Sequence, residues 1–492
     1  MSEISALFDV LRQSADLRVA AAIQHLAETG EDRDLNRINV LAFATAHGLG
    51  ADAAISGFVR AARLGLFDMS WNVLCPGCGG VLNTNLSLKS VRQQDYHCAL
   101  CAAGYEASLD EMVEVTFTVA RRLRHIAAHN PESLPFLEYF RQVFWSSGID
   151  LQGCDLGAVL DGITLDALEL PAGEKASLSL NLPAEFLIVF EPVTHSAQFI
   201  DVRGGPTRER QNLSLVFNKV RAPTGTVVMA PGPLRLYLEN ATGERVLPAV
   251  WIGGDALHAL LGKRRPFLTA NALMTNQTFR DLYGAETMDV DQRLKITSLT
   301  ILFTDLKGST ELYERVGDLA AFDLVRAHFA LLQEIVASEA GAVVKTIGDA
   351  VMATFPSPDR ALAAALRMRT ELEMFNTRSH KDDLIIKIGI HEGPCLAVTL
   401  NDRQDYFGQT VNVAARVQKQ SVSSAIFATG AIVAHPGSVL ILQAAQLTPL
   451  RHERQLHGLA ALTTVYEIPQ SLPPHGPLTV TAKSVTRPLA SE

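Results

Sequence analysis

Apolar residues in the first part of the chain recur at the spacing of amphipathic helices. Ile55 and Phe58 fall on one stripe of a predicted helix over residues 51–64, and a glycine-containing turn separates it from a predicted helix over 35–47. Two short helices across such a turn are typical of a helix-turn-helix unit. We therefore predict a helical, winged-helix-like module over 1–70, which serves either in DNA binding or in protein contact.

The middle of the chain changes to short apolar runs that turn residues separate. Between residues 166 and 255 these runs predict an antiparallel β domain, either a sandwich or a small barrel. This domain is either a ligand-binding unit or a rigid spacer. Helical patterns on its two sides predict a helical connector over 119–165 and a helical linker over 256–292.

The pattern over residues 293–469 alternates between strands and helices. A strand is followed by helices, a hairpin, a helix, a pair of strands, another helix and a strand, which is an order typical of a ferredoxin-like α/β domain. Prolines and small polar residues fill 470–492 and predict a disordered tail. The chain as a whole is predicted to be a multidomain α+β protein.

Charge and hydropathy narrow the classes of function. The chain has 492 residues and a formal net charge of −9. Its helical module lacks a cluster of Lys and Arg to neutralise phosphates, so nucleic-acid binding and a role as a transcription regulator are disfavoured. No run of about 18 apolar residues is present, and the N-terminus lacks the pattern of a secretory signal. These features predict a cytoplasmic protein without a membrane span.

Four of the six cysteines form two CxxC pairs, Cys75 with Cys78 and Cys98 with Cys101. In a reducing compartment, two such pairs are typical of a metal site rather than of disulfides. Their four thiolates complete a tetrahedral shell around Zn²⁺ and leave no open position for catalysis. We predict a structural zinc ribbon over 71–118; the alternative is four free thiols in a small fold.

Two aspartates each follow or join strand-like apolar runs and lie beside a glycine. Asp305 follows the run that starts at Ser298, and Asp349 shares the turn of a predicted hairpin with Gly348. If the first strand pairs beside this hairpin, the two carboxylates meet at one edge of the sheet. A hard divalent cation such as Mg²⁺ would relieve their repulsion and bind substrate phosphates as well. The alternative is two ordinary turn aspartates.

Four motifs in the C-terminal region, FTDLKGST, KTIGD, DYFG and TVNVAARVQ in that order, resemble those of the class III nucleotidyl cyclase homology domain. The resemblance covers roughly residues 293–469 and implies the same ferredoxin-like fold. It also implies two Mg²⁺ or Mn²⁺ ions per site, bound by Asp305, Asp349 and the backbone carbonyl of Leu306. One ion would activate the attacking 3′-hydroxyl, and the other would hold the leaving pyrophosphate.

The same resemblance implies that Lys345 and Asp405 read the purine base. A lysine donates to a ring nitrogen, and an aspartate accepts from the exocyclic amine of adenine, whereas it would repel the carbonyl of guanine. ATP is therefore the expected substrate and 3′,5′-cyclic AMP the expected product. A guanylate cyclase is the alternative within the same enzyme class.

Asn412 and Arg416 stand four residues apart, on one face of a predicted helix. The resemblance implies that Asn412 orients the ribose and that Arg416 stabilises charge on the α-phosphate, a task that suits a permanently charged guanidinium. In the family this pair and the metal-binding aspartates come from opposite subunits. Because one chain holds both sets, we expect a head-to-tail homodimer with two equivalent sites and an inactive monomer.

Two positions depart from the family pattern, and one of them is Pro394, which stands after His391-Glu-Gly where some members have an arginine. At a position where members of the family frequently have a phosphate-binding lysine, this chain has His457. Fewer positive charges are then available to bind the β- and γ-phosphates. A catalytically weak nucleotide-binding sensor or scaffold is therefore another alternative. The N-terminal half resembles zinc-containing regions that precede some bacterial cyclase domains. We expect it to regulate turnover, in intracellular signal transduction, through a ligand or protein that the sequence does not identify.

Overall fold

The computed structural model of the protein describes residues 3–470 apart from 93–94, 152, 154, 219–224, 285–287, 290, 380–383, 401–402, 423 and 460. The predicted tail over 470–492 lies outside the described residues from position 471 onward. Among the described helices, none combines the length and the apolar character needed to cross a membrane.

The N-terminal part is helical, and polar side chains fix where two of its helices begin. Asp16 accepts hydrogen bonds from the backbone N–H groups of Arg18 and Val19, and Asn39 caps the next helix in the same way. The helix predicted over 35–47 therefore begins only after Asn39. The helices are α1 (Glu3–Ser14), α2 (Leu17–Thr29), α3 (Val40–Ala46) and α4 (Ala51–Arg63).

The cysteine-containing segment shares a sheet with the residues in front of α3. Its strands are β1 (Phe67–Leu74), β2 (Val81–Asn85), β3 (Asp95–Cys98), β4 (Ala103–Glu106) and β5 (Val113–Val119). They form one antiparallel sheet in the order β2–β1–β5 and a separate hairpin of β3 and β4. Ile38 donates its backbone N–H to the carbonyl of Phe117 in β5 at 2.8 Å. The helical module and the cysteine segment are thus joined by backbone pairing.

The connector over 119–165 is less helical than predicted because prolines interrupt it. Pro131 and Pro135 have no backbone N–H to donate, and single 3₁₀ turns replace longer helix here. The amphipathic part over 136–144 forms one short α-helix followed by a π turn. The α-helices of the connector are α5 (Phe136–Tyr139) and α6 (Leu156–Ile163).

The β-rich middle consists of two sheets that enclose one apolar core. Its strands are β6 (Thr164–Ala167), β7 (Lys175–Leu182), β8 (Phe186–Glu191), β9 (Ser196–Val202), β10 (Gln211–Phe217), β11 (Thr226–Met229), β12 (Gly232–Asn240) and β13 (Ala249–Ile252). The prediction of a wholly antiparallel domain is wrong for two pairs, since β10 with β12 and β11 with β9 are parallel. From β9 to β12 the chain alternates between the sheets. β9 and β11 are neighbours in one sheet, and the chain passes through β10 of the other sheet between them. The same holds for β10 and β12, with β11 between them. Such crossover connections join parallel strands.

The linker is helical, as predicted, but in short pieces. Asn276 interrupts it because its side chain accepts a hydrogen bond from the backbone N–H of Phe279 at 3.1 Å and so caps a new helix. The pieces are α7 (Asp255–Gly262), α8 (Ala270–Met274) and α9 (Gln277–Tyr283).

The C-terminal region has the predicted order of elements, extended by further helices and a last hairpin. The sheet order is β15–β16–β14–β17–β19–β21–β20, and β18 pairs with β17. The strands are β14 (Leu294–Lys307), β15 (Ala342–Ile347), β16 (Ala350–Phe355), β17 (Ile385–Leu400), β18 (Arg403–Phe407), β19 (Ile426–Thr429), β20 (Leu450–Arg454) and β21 (Thr463–Ile468). The helices are α10 (Ser309–Val316), α11 (Asp318–Ser338), α12 (Pro358–Ser379), α13 (Gln409–Gln418), α14 (Gly430–Ala434) and α15 (Pro436–Ala444).

The two faces of this C-terminal sheet pack against different parts of the chain. Leu302 of β14 belongs to a buried core with residues of α11 and α12. Ile301 and Phe303, which point to the other face, belong to a second core that includes Trp71 and Phe279 of the N-terminal half. The N-terminal half therefore covers a face of the C-terminal sheet.

A second contact joins the cysteine segment to the first strand of that sheet. The carboxylate of Asp110 accepts from the backbone N–H groups of Thr297 and Ser298, each at 2.9 Å, where β14 bulges. The N–H of Leu109 donates to the carbonyl of Lys295 at 2.9 Å. Backbone groups that the bulge would leave unpaired are thus satisfied by the cysteine segment.

We expect Gly389→Ala to destabilise the protein by roughly 1–3 kcal/mol. A Cβ at this position of β17 would lie 2.1 Å from the backbone nitrogen of Gln418, so α13 would have to move away from the sheet. Urea unfolding followed by circular dichroism measures the change. Gly243→Ala is the matched control, because a Cβ there meets no atom within 4 Å. Equal unfolding midpoints for the two variants would contradict the close approach.

Candidate functional site

The pairing of β14 with β16 brings the two predicted metal-binding aspartates to one end of the sheet. Thr304 pairs with Val351, so Asp305 comes one position further along β14 and Asp349 lies in the adjoining turn. Oδ2 of Asp349 is buried and has no hydrogen-bond partner among the described residues. Asp305 accepts a hydrogen bond from Nζ of Lys387 at 3.3 Å.

A histidine lies close to Asp349 and is buried. Burial lowers the pKa of His328 on α11 to about 4, and the carboxylate of Asp349 opposes that shift. His328 is therefore neutral near pH 7. The side chain of Leu306 packs into the core on the helix side, so only its backbone is available to a ligand. A buried carboxylate oxygen without a partner, beside a second aspartate, fits a hard cation such as Mg²⁺ or Mn²⁺.

Lys345 on β15 and Asp405 on β18 form an ion pair with each other. Asp405 is buried, with 6% of its surface exposed, and its Oδ1 also accepts from the backbone N–H of Tyr406 at 2.8 Å. Two residues 60 positions apart in the sequence are thus brought together, and each satisfies the charge of the other.

Helix α9 of the linker lies over the strands that hold this ion pair. Arg280 donates to the carbonyl of Gln404, the neighbour of Asp405, at 2.9 Å. The side-chain oxygen of Gln277 accepts from the backbone N–H of Val343 at 2.7 Å. The linker is therefore fixed by hydrogen bonds to both β15 and β18.

Asn412 and Arg416 lie on α13, with Asn412 exposed and Arg416 half-buried. Nη2 of Arg416 would lie only 3.2 Å from a Cβ placed on Gly458, so the guanidinium rests against the turn that contains His457. His457 itself is exposed. Any larger residue at position 458 would push the guanidinium away from this place.

The four cysteines of the predicted zinc ribbon form one cluster. Their Sγ atoms all lie within 4.8 Å of one another, and the Cys75–Cys101 and Cys78–Cys98 sulfur pairs are each 3.6 Å apart. Zn–S bonds of about 2.3 Å place sulfurs roughly 3.8 Å apart in a tetrahedral site. The cluster could hold Zn²⁺ without rearrangement.

Several contacts at these sites were not predicted from the sequence. Lys387 reaches Asp305 only because β17 pairs with β14 in this register. Arg264 donates to the carbonyl of Gly77, between the first two cysteines, at 2.6 Å. Arg264 belongs to a run of three basic residues in the linker. This run is the feature of the sequence that indicates an anion or a carbonyl as a partner.

Two family descriptions match the chain. Residues 1–281, more than half of the 492 residues, match the "Family of unknown function (DUF5939)". Residues 292–443 match the "Adenylate and Guanylate cyclase catalytic domain". The second match confirms the resemblance on which the interpretation of the C-terminal motifs depends.

Named relatives match about a quarter of this chain. An adenylate cyclase of Anabaena cylindrica is 32% identical over 133 residues, which are 24% of this chain and 26% of that protein. Adenylate cyclase 2 of Rhizobium meliloti (strain 1021) is 33% identical over 129 residues, or 24% of this chain and 35% of that protein. The match spans only 6% of an adenylate cyclase of Mycosarcoma maydis. The chain thus covers about a third or less of the length of these relatives.

Solved structures of similar shape include the adenylyl cyclase CyaB from P. aeruginosa, at 24% identity and a TM-score of 0.32, covering 37% of this chain and 97% of that one. The guanylate cyclase domain of RhGC from Catenaria anguillulae matches at 21% identity and a TM-score of 0.32, over 36% and 97% of the two chains. From its N-terminal match the chain belongs to the family of unknown function DUF5939, and its residues 292–443 are an adenylate and guanylate cyclase catalytic domain.

Proposed function

We propose that this protein is an adenylate cyclase that converts ATP to 3′,5′-cyclic AMP and pyrophosphate in intracellular signal transduction. The observation that carries the proposal is the unpartnered, buried carboxylate oxygen of Asp349 next to Asp305, inside a domain of the cyclase family. Relatives named adenylate cyclase support the choice of ATP.

Asp305, Asp349 and the backbone carbonyl of Leu306 would hold two Mg²⁺ or Mn²⁺ ions, which when bound supply an activated 3′-hydroxyl and a stabilised pyrophosphate leaving group. Lys387 donates to Asp305 and limits the repulsion between the two carboxylates. Oδ2 of Asp349 keeps a free electron pair directed away from any protein donor within the described residues.

Lys345 and Asp405 would select adenine. In the structure they satisfy each other, so a purine base has to separate them and take over both contacts. Adenine offers a ring nitrogen to the ammonium group and an amine to the carboxylate, whereas guanine offers the carboxylate only a second acceptor. This exchange of one matched pair of contacts for another favours ATP over GTP.

Asn412 and Arg416 would complete the site from a second subunit, where Asn412 orients the ribose and Arg416 stabilises charge on the α-phosphate. Each chain has both the aspartates and the α13 pair, so a head-to-tail homodimer forms two equivalent sites.

In the structure, α9 binds over the face of the sheet that holds Lys345 and Asp405, and the N-terminal half covers the rest of that face. A partner subunit needs access to the same face. The observed arrangement therefore corresponds to a closed, less active state, and movement of α9 would regulate turnover. The cluster of Cys75, Cys78, Cys98 and Cys101 would hold a structural Zn²⁺ that keeps this N-terminal half rigid.

The direct test of this function is the purified full-length protein with ATP or GTP and either Mg²⁺ or Mn²⁺, with cyclic products quantified by mass spectrometry. We expect cyclic AMP from ATP and at most a minor product from GTP. Asp305→Ala and Arg416→Ala should each lower turnover on the order of 10²–10³-fold, because each removes charge stabilisation from the transition state. Absence of a cyclic product under all four conditions would reject the function.

Mixing these two variants tests whether the site is shared between subunits. An Asp305→Ala chain with an Arg416→Ala chain should recover about a quarter of wild-type turnover, because half of the dimers are mixed and each of those has one intact site. The matched control mixes Asp305→Ala with Asp349→Ala, in which every site lacks a carboxylate, and should recover none. Equal results for both mixtures would contradict the shared site.

We expect Arg280→Ala to raise basal turnover several-fold, because it removes a charged hydrogen bond worth about 1.5–3 kcal/mol from the closed state. Initial rates of cyclic AMP formation at saturating ATP measure the effect. Arg210→Ala, at an exposed arginine of the β-rich domain, is the control and should leave the rate unchanged. A rate for Arg280→Ala at or below that of the control would mean that α9 does not restrain the site.

We expect one zinc ion per chain in the purified protein, measured by inductively coupled plasma mass spectrometry. Cys78→Ser should abolish zinc binding and lower the unfolding temperature, because it removes a ligand from a closed tetrahedral site. Cys395→Ser, at a buried cysteine of the C-terminal domain, should keep the full zinc content. Zinc retained by Cys78→Ser would place the metal elsewhere.

A further inference from the structure

A cavity of about 430 Å³ opens in the N-terminal half, far in sequence from the residues assigned to catalysis. Its wall includes four arginines and a single carboxylate, that of Asp34. The arginines are Arg33, Arg37, Arg141 and Arg265. The volume lies within the range of small-molecule sites in proteins, and arginines outnumber carboxylates among the residues of the wall.

Two of these arginines donate to neutral oxygens. Arg265 donates from Nε to the carbonyl of Ser147 at 2.7 Å. Arg37 donates to the hydroxyl of Thr84 at 2.9 Å and to the carbonyl of Val143. Neither contact neutralises a guanidinium, but both hold the side chain in a fixed position, as a preformed anion site needs.

Carboxylates near these arginines compensate only part of the charge. Arg33 pairs with Glu31 at 2.8 Å and Arg141 pairs with Glu138 at 3.3 Å. Burial lowers the pKa of Arg37, and Glu114 opposes that shift. The carboxylate of Glu114 is in turn buried, and its burial raises its own pKa. Charging Arg37 is therefore costly in the empty cavity and would be favoured by an anion within it.

The hydrogen-bonding groups of the wall are mainly donors. All four guanidinium groups can donate several hydrogen bonds each. A ligand with several acceptor oxygens would accept from these groups together. Nε1 of Trp145 and Oγ of Ser146, which have no hydrogen-bond partner among the described residues, are buried beneath this surface.

We propose that this cavity binds a small molecule through a phosphate or carboxylate group, with Arg37 and Arg265 as the principal charged contacts. Donors outnumber acceptors on the wall, so the recognised group is an oxyanion with several oxygens rather than a neutral amide or a cation. Asp34 and Oε1 of Gln142 remain as acceptors for hydroxyl or amine groups elsewhere on the ligand.

The cavity is linked by backbone contacts to the helix that covers the catalytic face. The N–H of Arg265 donates to the carbonyl of Gly148 at 2.9 Å, and the N–H of Val115 donates to Leu268 at 2.8 Å. Thr269 then caps α8, which leads into α9. A ligand that moves Arg265 therefore acts on the segment that positions Arg280. This regulatory part rests on the proposed cyclase function, whereas the binding does not.

The test titrates the full-length protein with inorganic phosphate and, in a separate arm, with succinate, at an ionic strength held constant with chloride. Tryptophan emission and the unfolding temperature are followed, and Trp145→Phe identifies the share of the emission that comes from the cavity. We expect saturable binding of phosphate, of succinate or of both, which assigns the anionic group. Arg265→Gln and Arg37→Gln should weaken it about tenfold or more.

Two controls separate this site from other anion sites. Arg203→Gln, at an exposed arginine of the β-rich domain, should bind like the wild type. Arg416→Ala, which alters the catalytic face, should keep the Trp145 response, so failure of the cyclase proposal would leave this result intact. If Arg37→Gln does not fold, the Arg265→Gln result decides. A response that does not saturate with either anion, or that all arginine variants share equally, overturns the proposal.

Discussion

A sheet with apolar side chains on both faces needs cover on both. In the C-terminal domain, α11 and α12 cover the face that includes Leu302, while the N-terminal half covers the face that includes Ile301 and Phe303. Exposing apolar surface costs about 25 cal/mol for each Å². The N-terminal half can therefore leave this face only if something else, such as a second subunit, takes its place. In the proposed homodimer, regulation and assembly would be two alternatives for covering this one surface.

The contacts between the halves are polar as well as apolar, and this makes their geometry specific. Asp110 pairs with the backbone of the β14 bulge, Arg280 with the carbonyl of Gln404, and Arg264 with the carbonyl of Gly77 in the cysteine cluster. Each bond satisfies a backbone group that would be unpaired if the segments moved apart. The cysteine cluster, the linker and the C-terminal sheet are therefore positioned against one another by these bonds.

Sequence patterns predicted local features well, because these depend on neighbouring residues. The CxxC pairs, the Gly348–Asp349 turn and the element order of the C-terminal domain follow from spacing and turn chemistry alone. Long-range choices were not accessible in this way. The parallel pairs of the β-rich domain depend on which sheet each strand joins, and the ion pair of Lys345 with Asp405 depends on the pairing of distant strands. The position of α9 over the sheet was likewise not predictable. Arg280 donates to a backbone carbonyl, and every residue has one, so the sequence does not indicate this partner.

Under the proposed function, the ion pair of Lys345 with Asp405 would allow a closed state to be stable and still reversible. A buried carboxylate without a partner would be costly, so Asp405 takes Lys345 when no base is present. A base that offers one acceptor and one donor replaces this pair without leaving either charge unsatisfied. Moving α9 away from the sheet would then mainly break the hydrogen bonds of α9 and the apolar contacts between the N-terminal half and the sheet. Under the proposed function, control over the site would rest with contacts outside the residues assigned to catalysis, where a ligand could change them without altering the chemistry.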